Sequence, residues 1–148
     1  MTNTEIYNSA LSLLGISTNS TEVSDLASRA PYLIASFCCS AKKTDEAIRK
    51  NQGLSAQGTF NCVYLDLYSD FPLCDSLSAC ASLYLAAMLM IDEDPELSVS
   101  LYDKYCSAMA EISASLFPDS SGGIDDDIYD DDDSYAVCES ITERYFID

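Results

Sequence analysis

Histidine and tryptophan are absent from this 148-residue sequence, and only seven Lys and Arg stand against 25 Asp and Glu. Without histidine the commonest general base and metal ligand is missing, and a cysteine nucleophile has no imidazole to activate it. No Cys-x-x-Cys pair offers zinc or redox chemistry, and the adjacent Cys38 and Cys39 are expected on different sides of a helix. The chain is therefore expected not to be an enzyme and to need no cofactor or metal. A net charge of −18 leaves too few bases to hold nucleic acid by neutralising phosphates. It also makes an anionic membrane surface an unfavourable partner. Met1 to Glu5 lacks positive charge and no apolar run follows, so no signal peptide is expected and the chain should stay in the cytosol where it is made. Its seven cysteines are odd in number and lie mostly inside helical patterns, which makes them small buried thiols rather than a disulfide framework.

One stretch organises the rest. From Asp75 to Ile91 the only charge is Asp75 itself, and Leu77, Cys80, Ala81, Tyr84, Met88 and Ile91 recur at helical spacing. Leu83, Ala86, Ala87 and Met90 cover the opposite face. A helix apolar on nearly all sides must be buried in a bundle or at a subunit interface, and the run is short of the roughly 20 apolar residues a bilayer needs. Leu83, Tyr84 and Ala87 are accordingly candidates for a subunit interface.

Before it, Thr2 and Glu5 form a capping box for a helix of about three turns that Gly15 ends in a left-handed conformation. The polar run Ser17 to Thr21 reads as a loop. A second helix is expected from Arg29 to Ala41, with Pro31 in its first turn and a separate short helical piece over Glu22 to Ala27. Tyr32, Leu33, Ala35, Ser36 and Phe37 look too densely packed for an exposed face. Lys42 to Lys50 reads as a solvated continuation of that helix and as the only basic patch, with Lys42, Lys43, Arg49 and Lys50 suited to a neighbour's acidic surface. Residues 54 to 61 are a loop, and Val63 to Leu67 is an extended connector, since one lone strand makes no sheet. After the central helix, Asp94 as N-cap, Pro95 and Glu96 open another helix, with Leu97, Leu101, Tyr105, Ala108 and Ile112 as its stripe. The short link makes the last two helices an antiparallel hairpin.

From Pro118 onward eleven acidic residues face Arg144 alone, a net of −10 out of −18, behind a Ser-Ser-Gly-Gly joint. The expected architecture is thus all-α: a bundle of about four helices over residues 1–117, and an acidic C-terminal extension over 118–148. The run IDDDIYDDDD carries clustered carboxylates of the kind hard cations take. It lacks the alternating spacing, central glycine and distal glutamate of an EF-hand loop, so a solvated or partner-docked tail is the stronger expectation. Asp125, Asp126, Asp127, Asp130, Asp131, Asp132 and Asp133 are its candidate contacts with a channel or partner, and Ile141, Tyr145, Phe146 and Ile147 its candidate apolar anchors.

The order of pieces, IYNSALSLLGI (6–16), RAPYLIASFC (29–38), then FPL (71–73) leading into ASLYLAAMLMIDEDPELSVSLYDKYCSAM (81–109), resembles the head-to-tail connector or portal-adaptor proteins of tailed bacteriophages. The resemblance spans about residues 4 to 116 and rests on helical apolar patterns rather than catalytic signatures. It implies a dodecameric homo-oligomeric ring in the virion neck, bound to the portal protein on one side and to tail or neck proteins on the other. DNA would pass through without specific binding. In such adaptors the C-terminal segment commonly reaches the portal, which assigns residues 134–148 to portal binding with Tyr145, Phe146 and Ile147 as anchors. The long aspartate run departs from the family pattern. The competing expectation is an acidic DNA-mimicking module that captures a basic partner.

Overall fold

The capping box forms as its residues predict. In the computed structural model, which describes residues 1–17 and 23–116, the Thr2 hydroxyl accepts from the Glu5 amide at 3.3 Å and the Glu5 carboxylate accepts from the Thr2 amide at 2.6 Å. Helix α1 (Asn3–Leu13) follows. Gly15, at φ +68°, ends it in a Schellman arrangement: the Gly15 amide donates to Ser12 O and the Ile16 amide to Leu11 O. Thr2→Ala should cost about 1 kcal/mol of stability, read from urea melts. The bonds from Thr2 hold the Glu5 carboxyl below its usual range. A group with a lowered folded pKa stabilises above its unfolded value, so this contribution is lost as pH falls through the lowered one.

Helix α2 (Val23–Ser40) is one element where a short piece over Glu22 to Ala27 and a second helix from Arg29 were expected. The helix runs through the proline, which sits in its interior. Leu26 and Ala30 before Pro31, and Ile34, Ala35, Phe37 and Cys38 after it, are all buried, and packing on both sides of the proline outweighs the lost helical bond. The chain turns at Ala41, and the basic stretch is a separate helix α3 (Lys42–Gln52), closed by Gly53 at φ +66°. It is not a solvated continuation, because its Asp45 and Ile48 are buried.

Residues 54–74 form no strand, as expected for a connector, yet they are far from unpartnered. The Asn3 amide donates to Ser69 O at 3.0 Å, the Phe71 amide to Met1 O at 2.8 Å, and the Thr4 hydroxyl to Leu67 O at 2.6 Å. The fully buried Asn3 side chain donates to Asp66 O at 2.9 Å and to the Ser69 hydroxyl at 3.0 Å. This lacing fixes the connector across the start of α1. A 3-10 turn over Asp75–Leu77 then leads into α4 (Ser78–Met90).

Helix α4 is the core of an all-α bundle of five helices among the described residues. It packs on α1, α2 and α5 (Pro95–Leu116), and Cys80, Ala81, Ser82, Tyr84, Leu85, Ala86, Ala87, Leu89 and Met90 are buried. Helix α5 starts at the expected cap, with the Leu97 amide donating to Asp94 Oδ1 at 3.0 Å, and returns along α4 as a hairpin. Phe37 lies at the centre, its ring 5.7 Å from Tyr84, 6.1 Å from Tyr105 and 6.4 Å from Phe71. Offset and edge-on contacts of this kind add to the simple burial of the rings.

Candidate interaction surfaces

Asp45 is the one carboxylate among the described residues that is completely buried, and its position decides what the basic helix can do. Its Oδ2 accepts from Arg49 Nε at 2.7 Å, one helical turn on, and its Oδ1 accepts from the Cys74 amide at 2.6 Å. Arg49 donates further to Pro72 O and Ser55 O, both at 3.3 Å. The bond from Asp45 raises the Arg49 guanidinium further above its ordinary value. Burial, with Asp45 nearby, pushes the Cys74 thiol up to about 11 and removes it from chemistry at neutral pH. Arg49 therefore ties α3 to both ends of the connector. Its donors are engaged within the protomer, while Lys42, Lys43 and Lys50, the other expected subunit contacts on this stretch, are exposed to solvent.

Two further interface candidates change character. Tyr84 and Ala87 are 8% and 0% exposed, so they lie inside the protomer's own core, and of the three residues named on α4 only Leu83 is partly accessible. The α4 surface, expected either in a bundle or at a subunit interface, is covered by α1, α2 and α5. The most exposed large apolar side chains among the described residues lie on α2 and the connector. Tyr32, Val63 and Tyr68 are 55%, 69% and 88% exposed, and the Tyr32 and Tyr64 rings meet edge to face at 5.3 Å. Helix α2 thus has an open face through Tyr32, Ser36 and Cys39, where dense packing was expected. The sequence pattern hides this face because Tyr32 and Leu33 both count as apolar although the tyrosine's hydroxyl suits it to an exposed site.

Among the described residues exposed charge is mostly basic on α3, where Glu46 alone is acidic, and mostly acidic on α5, where Lys104 alone is basic. Glu96, Asp103 and Glu111 fall about two turns apart along one exposed face of α5, opposite in sign to Lys42, Lys43 and Lys50 on α3. Arg29 spans a shorter distance, lying 3.6 Å from Asp92 and donating to Met88 O at 3.4 Å, so it braces α2 against the α4–α5 turn. Among the described residues no cluster of Cys, Asp and Glu is arranged to hold a metal ion, and no helix is long and apolar enough to cross a membrane. The aspartates from Asp125 to Asp133, and Ile141, Tyr145, Phe146 and Ile147, lie outside the described residues.

No family model, curated protein or solved structure matches this chain.

Proposed function

We propose that this protein is a structural subunit of a bacteriophage neck, a head-to-tail connector that forms a ring under the portal and continues the DNA channel. The observation that carries the reading is the order of its pieces: a capped N-terminal helix, a Pro-containing second helix, and a late hairpin whose first helix is uncharged. Those pieces resemble the portal-adaptor family. Surface electrostatics support it, since a ring needs two different patches that meet head to tail, and the exposed charges have a net basic excess on α3 and a net acidic excess on α5. Repeated around a channel, the excess of acid repels DNA phosphates and lets a duplex slide where basic walls would hold it. In this reading Lys42, Lys43, Lys50 and Leu83 contact the neighbouring subunit, and residues 134–148 reach the portal.

Native mass spectrometry of the full chain, alone and with the cognate portal ring, tests this. A ring of many copies on the portal is the expected outcome. Reversing all three lysines to glutamate should weaken ring formation without unfolding the protein, each exposed pair contributing up to about 1 kcal/mol. Deleting residues 134–148 should spare the fold and weaken portal attachment. A chain that stays monomeric and ignores the portal would sink the proposal and favour an acidic decoy of a basic protein.

A further inference from the structure

We propose that Cys39 and Cys62 are a redox-active dithiol that closes to a disulfide and clasps the connector to the C-terminal end of α2. Backbone register puts them together. The connector runs antiparallel along the open face of α2, with the Leu65 amide donating to Pro31 O at 3.2 Å and the Tyr64 ring against Tyr32. From Pro31 to Cys39 the helix rises about 12 Å, and the three residues from Leu65 back to Cys62, bent at Val63 and Cys62, span at most about 10 Å. Tyr32 and Cys39 are seven residues apart, two helical turns on one face. The two stretches therefore come within side-chain reach of each other, and the Cys62 thiol lies close enough to that of Cys39 for the two to interact. Asn61 Oδ1 accepts from the Val63 amide at 2.8 Å and bends the chain around Cys62.

These two cysteines also differ from their neighbours in access. Both are free and exposed, whereas Cys38, Cys74 and Cys80 are buried. Burial pushes the Cys38 thiol up to about 12, so the residue beside Cys39 in sequence is chemically silent. Residues 61–64 belong to no helix or strand, so drawing the sulfurs to the ~2.05 Å of a bond breaks no helical or ladder hydrogen bond on the connector.

The oxidant is a low-molecular-weight disulfide, RSSR. One protein thiolate attacks it, forming a mixed disulfide and releasing RS⁻. The second protein thiolate then attacks the protein sulfur of that mixed disulfide and releases another RS⁻. Both leaving thiolates take up the protons lost by the cysteines, giving two RSH, and the protein is oxidised by two electrons. The neighbouring Cys39 raises the Cys62 thiol above its ordinary value, with Lys42 opposing, so closure accelerates as pH rises. A glutathione-rich cytosol keeps the pair open, and dilution into an oxidising medium closes it. The closed loop contains the whole of α3. This inference stands independently of the ring.

The test is to incubate the freshly reduced full chain with glutathione disulfide, digest it with chymotrypsin without reduction, and map the linked peptides by fragmentation. The expected result is a Cys39–Cys62 link, reversed by dithiothreitol and accompanied by a Tm about 5–10 °C higher. Cys39→Ser and Cys62→Ser should each keep the reduced protein's Tm and lose the rise. Separate glutathione adducts on Cys39 and Cys62, or links from either residue to another cysteine or a second copy, would overturn the proposal.

Discussion

Leu85→Asp should leave no folded protein at 25 °C, seen as loss of helical circular dichroism and of any cooperative urea transition. Leu85 is fully buried in the middle of α4, the helix that touches α1, α2 and α5. Removing its side chain alone, as in Leu85→Ala, costs about 2–5 kcal/mol, because the lost transfer energy adds to the cavity left behind. An aspartate in the same place adds either the desolvation of an unpaired charge or the work of protonating it, several kcal/mol more. Small domains are stable by only about 5–15 kcal/mol, so the combined cost is comparable to the whole. Tyr84→Asp belongs to the same class, softened by the position of the Tyr84 hydroxyl, 3.4 Å from that of Ser36. Leu83→Asp, one residue away and only partly buried, should fold and report on assembly instead. The comparison separates collapse of the protomer from failure of a ring, which a sequence reading of α4 runs together.

That separation also marks where the sequence is legible. Thr2 with Glu5, Gly15, and Asp94 with Pro95 act through bonds to residues three or four positions away, and each terminus stands where its residues put it. The hairpin follows from the brevity of the link between α4 and α5. By contrast, the number of partners around α4 depends on how the other helices close over it, and no local pattern encodes that. Asp45 reads as one charge in a basic, solvated run; it is buried because the Cys74 amide, 29 positions on, needs an acceptor. The connector looks isolated because the groups that hold it, Met1 to Thr4, are more than 60 residues earlier. Pro31 reads as a helix start by propensity, which burial on both sides of it overrides.

Arg49→Ala should cost about 3–5 kcal/mol in urea unfolding, the range for removing one partner of a buried ion pair. The reason is what remains. With Arg49 gone, Asp45 keeps the Cys74 amide but no countercharge for a carboxylate that has no access to water, and Ser55 O and Pro72 O lose a donor. Arg49→Lys should recover only part of the loss, since a single ammonium cannot match the planar guanidinium that reaches Asp45, Ser55 and Pro72 from three nitrogens. A double substitution, Asp45→Leu with Arg49→Met, removes both charges and should be far less destabilising than Arg49→Ala alone. Salt gives a second readout. The Asp45–Arg49 pair is largely out of solvent, so adding salt should change the penalty little, whereas an intersubunit pair on an exposed face would weaken. If Arg49→Ala instead leaves the protomer's unfolding midpoint unmoved and reduces only assembly, Arg49 is a subunit contact after all and the latch between α3 and the connector carries no weight.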